Sequence, residues 1–299
     1  MSLIMKYMKW ISKLQYKKQG ITDASFDPLK LRETNDESMK WLKPEKGISF
    51  RPVQLGSMPG EECTPQNAKD ECVILYIHGG GFVAGNAETS RYFASAVCRA
   101  TGYRVYTCSY RLAPEHPSPA MQEDCISGYE ALLALYPDTP IVVMGDSAGA
   151  HLTLTTTLWV REKGLRLPAC VALSSVPVTW DGTIDRSKNA EKDATLLQST
   201  LDQMTEVVFP DKTTRSDWLA SPIYGDYTGF PPVYIVYDAD ELLAPDSEAL
   251  IKKLNAAGVQ TQVHIEHGAF HAFTNLGYML PEAKAVLLEI AACIESIIR

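Results

Sequence analysis

Gly145-Asp146-Ser147-Ala148-Gly149 is the segment of this chain best suited to covalent chemistry. The apolar run Ile141–Met144 leads straight into it, and a helical pattern, AHLTLTTTLWV, follows. A serine at the apex of a sharp strand-to-helix turn has its Oγ lifted clear of the sheet, where a carbonyl can reach it. Side chains in place of Gly145 and Gly149 would strike the neighbouring strand or helix. The helix that follows points its first N–H groups at negative charge developing beside the serine. The G-x-S-x-G spacing alone is a weak signal; its place between a buried strand and a helix makes it specific.

A serine hydroxyl is a poor nucleophile until a base takes its proton, and an imidazole is suited to take and return it. The six histidines are His78, His116, His151, His264, His267 and His271. In a serine–acid–histidine chain order the base follows a late strand. His264 lies within the predicted strand Gln262–Ile265, His267 follows it directly, and His271 sits in the loop beyond. His271 is favoured over His267. A metal cluster of His264, His267 and His271 does not suit one strand face, and no Cys or Asp completes it. The acid should follow the run Val233–Tyr237, where Asp238 and Asp240 compete; Asp240, two residues into the loop, is favoured.

His78-Gly79-Gly80-Gly81-Phe82 ends the apolar run Val73–Ile77. Consecutive glycines cost backbone entropy, but a chain without Cβ atoms can approach a ligand and aim bare N–H groups at it. Gly80 and Gly81 are therefore expected to act with the Ala148 N–H as an oxyanion hole. His78 is expected to shape the loop rather than to move protons.

The elements that must hold these residues follow from periodicity. Apolar runs at Val73–Ile77, Arg104–Ser109, Ile141–Met144, Ala169–Leu173, Val233–Tyr237 and Gln262–Ile265 read as buried strands. Helical patterns fall between them, at about 88–101, 119–135, 148–163, 244–257 and 281–298. This rhythm predicts an α/β fold, with a mostly parallel central sheet and helices on both faces. Ligands of such sheets bind at the carboxyl ends of the strands. Residues 1–45 and 178–220 break the rhythm and read as a helical cap over those ends. No Gly/Ser- or Pro-rich linker separates them, so 1–299 is expected to be one domain. The first helix has Ile4, Tyr7, Met8, Ile11 and Leu14 at helical spacing. It also carries Lys6, Lys9, Lys13, Lys17 and Lys18 with no acid among them. It is expected to pack on the body with a solvated basic face; contact with lipid or an acidic partner is the alternative.

Composition narrows the function classes. Hydrophobic residues make up 45% of the 299 and charged residues 21%, enough for a sizeable core and against global disorder. A net charge of −8 argues against nucleic acid as a partner. No apolar run reaches the ~18 residues of a membrane span. The N-terminus lacks the apolar core and cleavage site of a secretory signal. Seven cysteines without a C-x-x-C pair read as reduced core residues, which points to the cytoplasm.

Five stretches together resemble the hormone-sensitive-lipase-like (family IV) esterases of the α/β-hydrolase fold, and the chain is similar to bacterial acetyl esterases. They are HGGGFVAGN (78–86), YRLAPEHPSPA (110–120), GDSAGA (145–150), LASPIYGDYTGFPPVYIVYDADELLAPDSE (219–248) and HGAFHAF (267–273). The resemblance covers roughly residues 70–298. It implies Ser147 as nucleophile, Asp240 as acid, His271 as base and Gly80 and Gly81 in the oxyanion loop. The family's D-x-L-x-D acid loop is stretched here to Asp240, Leu242 and Asp246. The implied activity is hydrolysis of short-chain acyl esters through an acyl-enzyme, with no metal or organic cofactor. The partner is a small-molecule ester, and the last strand and C-terminal helix are expected to support a homodimer. An amidase, an acyltransferase or a non-catalytic binder would share these motifs; a binder that had lost the base would lack the histidine at 271.

Overall fold

The computed structural model describes residues 1–18, 26–39, 41–193 and 195–299, and the side chains of 12–18 lie outside that description. Lys13, Leu14, Lys17 and Lys18 of the first helix therefore lie outside the described side chains. Eight strands form one sheet in the order β1-β2-β4-β3-β5-β6-β7-β8. The six predicted strands are present as β3 (Lys69–Ile77), β4 (Tyr103–Cys108), β5 (Ile141–Asp146), β6 (Cys170–Ser174), β7 (Val233–Asp238) and β8 (Thr261–Glu266), all parallel. The sequence reading missed β1 (Ile48–Leu55) and β2 (Met58–Pro65), an antiparallel hairpin that extends the sheet beyond β4. β1 is mostly solvent-facing and carries Ser, Arg, Pro and Gln, so it lacks the apolar run that marks the central strands.

The central strands β3, β5, β6 and β7 carry apolar runs because both faces of the sheet are covered there. Along β3, Val73, Leu75 and Ile77 pack into a core shared with α4 (Ala120–Leu135) and α5 (Ala148–Glu162). Ile74 and Tyr76 point the other way, into a core shared with α3 (Arg91–Thr101) and α8 (Pro281–Ile298). This alternation is the period of two expected of a strand. α7 (Ala244–Ala256) closes the first face beside α5, through Leu250 and Leu254. α5 is buried nearly all round despite four threonines. The Thr153 and Thr157 hydroxyls donate to the carbonyl oxygens of Gly149 and Thr153 (2.8 Å each), so they enter the core with their polar atoms answered.

Register aligns the strand ends. Ile77 pairs with Gly145, Asp146 with Ser174 and Asp238 with Glu266. Loops leaving β3, β5, β6, β7 and β8 consequently emerge along one edge of the sheet. Segment 178–220 lies against this edge. Its helix α6 (Gln198–Val208) sends Leu201, Met204 and Val208 into the core beside Phe82. Of the two helices before the sheet, α1 (Leu3–Lys18) buries Met5, while α2 (Pro28–Met39) buries no residue fully. Arg32 on α2 still reaches the body, donating to the carbonyl oxygens of Val83 (2.7 Å) and Ala113 (2.8 Å).

Segment 178–220 is tied down by a buried ion pair. Arg186 donates through Nε and Nη2 to both oxygens of Asp246 (2.7 Å each), at the start of α7. Asp246 also accepts the Val178 N–H (2.9 Å). Removing one partner leaves the other charge buried and unanswered, which costs about 3–5 kcal/mol. Arg186→Leu should therefore lower unfolding stability by about 3 kcal/mol or more. An unchanged urea midpoint with an unchanged slope would refute that role for the pair.

Candidate active site

Ser147 stands between β5 and α5 with φ 50° and ψ −121°, a strained backbone for a residue with a side chain. Gly145 and Gly149 make the strain possible. A Cβ on Gly145 would meet the Gly149 backbone, and a Cβ on Gly149 would meet the carbonyl oxygens of Ile77 and His78. The turn places Ser147 Oγ 2.8 Å from His271 Nε2. With the carboxylate of Glu241 on its Nδ1 side, the ring keeps its proton on Nδ1, and Nε2 accepts from the serine hydroxyl. The structure thus brings together Ser147 and His271, as the sequence suggested. His267 is exposed, and His264 turns instead to Glu289 (3.0 Å) and Glu266 (3.7 Å).

The carboxylate is a correction. Asp240 does not reach His271; its side chain is 43% exposed and lies 3.5 Å from Lys192 Nζ. Glu241 stands there instead, fully buried, with Oε2 3.5 Å from His271 Nδ1. That distance is long for a hydrogen bond and is the looser contact common before a substrate draws such a site together. The reason is the turn that ends β7. The Glu241 N–H donates to the Asp238 carbonyl oxygen (3.1 Å), while the Asp238 carboxylate accepts the N–H groups of Asp240 (3.0 Å) and Ala269 (2.7 Å). Residue 240 is left on the outside of the turn and residue 241 folds back over the strand end. Asn189 Nδ2, from segment 178–220, donates to the carbonyl oxygens of Ala239 (3.1 Å) and Glu241 (2.9 Å) and holds the turn closed. A signal was available in the sequence: Glu241-Leu242-Leu243 has the same acid-x-Leu spacing as Asp240-Glu241-Leu242.

Two further residues escaped the sequence reading. Ser175, just past β6, donates its hydroxyl to Glu241 Oε2 (2.7 Å) and accepts the Ala272 N–H (3.0 Å), joining the acid to the histidine loop. Asn275 donates through Nδ2 to Asp146 Oδ2 (2.7 Å). Asp146, the buried neighbour of Ser147, also accepts Tyr76 Oη–H (2.5 Å) and the Gly79 N–H (3.1 Å). One carboxylate therefore links the nucleophile turn, the glycine loop and the stretch after His271.

The glycine loop lines the same cavity as the serine. Gly80 and Gly81 adopt φ of 106° and 64°, which side chains rarely adopt. Among the described residues nothing accepts the N–H of Gly80 or Gly81, and the Ala148 N–H is a first-turn donor without a helical partner. All three residues line the cavity that contains Ser147 and His271. His78 lies beneath the loop, stacked on Tyr110 with centroids 4.3 Å apart, its Nδ1 2.7 Å from the Gly79 carbonyl oxygen. Burial holds its pKa below the usual value, so it is a neutral strut. The cavity measures about 220 Å³ and is walled by Leu31, Phe82, Trp180, Leu196, Leu201 and Met204. A larger groove of about 860 Å³ lies on the other side of Trp180 and Leu201, but it contains none of the reacting groups.

Electrostatics favour a strong base at His271. Burial lowers its pKa, but the Glu241 carboxylate, with Asp193 and Asp146 further off, outweighs burial and raises it above the ordinary value. Burial raises Glu241 as well. Replacing Glu241 with Gln removes the carboxylate that does most to raise His271 and leaves the burial that lowers it. In NMR titration, His271 in Glu241→Gln should titrate at lower pH than in the wild type, while Asp240→Asn should leave it within a few tenths of a unit. The reverse pattern would restore Asp240 as the partner.

Residues 74–275 match a protein family described as the alpha/beta hydrolase fold. The chain is 29% identical over 266 residues to an esterase of Acinetobacter venetianus, covering 88% of each protein. It is 31% identical over 245 residues to an acetyl-hydrolase of Streptomyces hygroscopicus, covering 78% of this chain and 81% of that one. A crystal structure of an esterase from the bacterial hormone-sensitive lipase family superposes with a TM-score of 0.92 at 28% identity, covering 100% of this chain and 99% of the other. The chain belongs to the α/β-hydrolase family, among the hormone-sensitive-lipase-like carboxylic ester hydrolases.

Proposed function

We propose that this protein is a serine esterase of short-chain acyl esters, with Ser147 as nucleophile, His271 as base and Glu241, in place of Asp240, as the acid. The observation that carries the reading is the 2.8 Å contact of His271 Nε2 with Ser147 Oγ, beside the open N–H groups of Gly80, Gly81 and Ala148. Ser147 Oγ bonds to the ester carbonyl carbon as its proton passes to His271 Nε2. The carbonyl oxygen becomes an oxyanion and accepts from the three N–H groups, whose geometry is set before substrate arrives. Glu241 stabilises the imidazolium and holds the Nδ1–H tautomer. Collapse breaks the bond to the alcohol oxygen, which leaves with the proton from His271. Water then gives a proton to His271 and attacks the acyl-enzyme, releasing the acid and restoring Ser147.

The aromatic and aliphatic walls of the cavity favour acyl chains from acetyl to about hexanoyl. Residues 1–45 and 178–220 act as its cap, as Leu31, Trp180, Leu196, Leu201 and Met204 in the lining suggest. Among the described residues no helix is long and apolar enough to cross a membrane. The seven cysteines are all unpaired, which fits a cytoplasmic enzyme. The reading extends to a homodimer built on β8 and α8. Among the described residues β8 pairs only with β7 and leaves Val263 and Ile265 exposed on the strand.

Hydrolysis of p-nitrophenyl esters from acetyl to dodecanoyl tests the activity. The rate should peak at short chains, and Ser147→Ala should lower kcat by about 10⁶. Glu241→Gln should lower kcat by about 10³–10⁴, and Asp240→Asn by less than about threefold. The free base form of His271 does the work, so kcat/KM should rise with pH through its elevated pKa, and that limb should move to lower pH in Glu241→Gln. Turnover that survives Ser147→Ala would overturn the mechanism. Absence of turnover on every chain length would favour a binder, or a transferase that needs an alcohol acceptor. Light scattering of a monomer at high micromolar concentration would end the dimer proposal.

A further inference from the structure

Neither the fold nor the active site accounts for the outer face of α1. The helix is held by its inner face. Met5 is fully buried, Ser2 Oγ donates to Glu282 Oε2 (2.9 Å), and Lys9 Nζ donates to the Gly268 carbonyl oxygen (3.3 Å). On the opposite side Ile4, Tyr7 and Trp10 stand 50, 59 and 58% exposed, and Leu3 83%. Positions 3, 7 and 10, with 4 beside them, share the three- and four-residue spacing of one helix face. The Tyr7 and Trp10 rings stack with centroids 6.1 Å apart, so the stripe is continuous. Scattered exposed apolar side chains are ordinary on a soluble protein, but a continuous stripe of them on one helix points to a partner.

Charge identifies the kind of partner. The 16 residues of α1 contain Lys6, Lys9, Lys13, Lys17 and Lys18 and no acid, on a chain whose net charge is −8. Basic charge is thus concentrated on the helix that also shows the exposed aromatic stripe. A second copy docked on this face would bring two sets of lysines together. A hydrated acidic protein surface would answer the lysines and leave Tyr7 and Trp10 without apolar cover. An anionic lipid surface answers both, with headgroup phosphates for the net positive charge of the helix and the acyl boundary for the ring stripe. Tyr and Trp are also the residue types enriched at such boundaries. We propose that α1 docks the protein flat on anionic lipid surfaces, with Ile4, Tyr7 and Trp10 in the interface. This is an interfacial contact and not a span. Because Lys9 rests on Gly268, docking would bring the loop that carries His271 near the lipid. The proposal does not depend on the reaction assigned above.

The test is sedimentation of the full chain with vesicles of phosphatidylcholine alone or with one-quarter phosphatidylglycerol. The wild type should pellet with the anionic vesicles at low salt, lose most of that binding in 0.5 M NaCl, and ignore phosphatidylcholine. Tryptophan emission should shift to the blue on binding, and the shift should shrink in Trp10→Phe. Tyr7→Ser/Trp10→Ser should bind at least about tenfold less while keeping the wild-type thermal midpoint, since both side chains are exposed. Three results would overturn the proposal: no binding to anionic vesicles above the phosphatidylcholine level; equal binding by the double variant; or a dimer that the double variant dissolves, with no vesicle binding, which would make the stripe a contact between copies.

Discussion

A carboxylate taken fully out of water is costly unless its charge is answered, and in this fold two groups answer Glu241 at Oε2, while Oε1 has no hydrogen-bond partner among the described residues. His271 faces it at 3.5 Å and Ser175 donates to it at 2.7 Å. Much of the surrounding architecture can be read as the means of keeping that arrangement. Asn189 pins the turn that bears Glu241, Asp193 accepts the Leu242 N–H (2.8 Å), and Arg186 bonds Asp246 at the start of α7. All three side chains come from segment 178–220, which also walls the substrate cavity. The segment that shapes the pocket is thus the one that fixes the acid. Changes in its sequence would alter substrate fit and base strength together.

Asp146 organises the other half. Its three donors come from β3, from the glycine loop and from the stretch after His271. Three buried donors on one carboxylate tie these segments to each other, which leaves little freedom for any one of the loops to shift alone. The N–H groups of Gly80 and Gly81 are consequently set relative to Ser147 before a substrate arrives. Preorganised donors of this kind are usually the largest single contribution to acyl-transfer catalysis.

The central strands, the helices between them and the positions of Ser147, His271 and the glycine loop were legible because each depends on local pattern. Buried strands need uninterrupted apolar runs, and the nucleophile turn needs Gly145 and Gly149 because backbone occupies the space their side chains would take. The hairpin β1–β2 was not legible, since its outer strand is solvated and carries polar residues and a proline. The choice between Asp240 and Glu241 was not legible either. Neighbouring acids in one turn differ only in the direction they face, and that direction is set by Asp238 accepting the Asp240 N–H and by Asn189 from a distant segment. Ser175 carries no motif at all; its role exists only where the ends of β6, β7 and β8 meet.

Strain follows the same geography. Among the described residues, those other than glycine with positive φ are Phe82, Ser147, Ser175 and Ala272. Each lies in a loop leaving the carboxyl edge of the sheet, and each belongs to the cavity wall, the nucleophile turn, the support of the acid or the histidine loop. Such conformations cost of order 1–3 kcal/mol apiece and persist only where the surroundings over-determine them. The surroundings here are six parallel strands, a helix buried on nearly every side and the Asp146 network. The sheet can carry the strain because the residues of β5, β6 and β7 are unstrained and buried on both faces. A looser sheet would let Ser147 relax toward ordinary helix geometry, and its Oγ would leave its 2.8 Å contact with His271 Nε2.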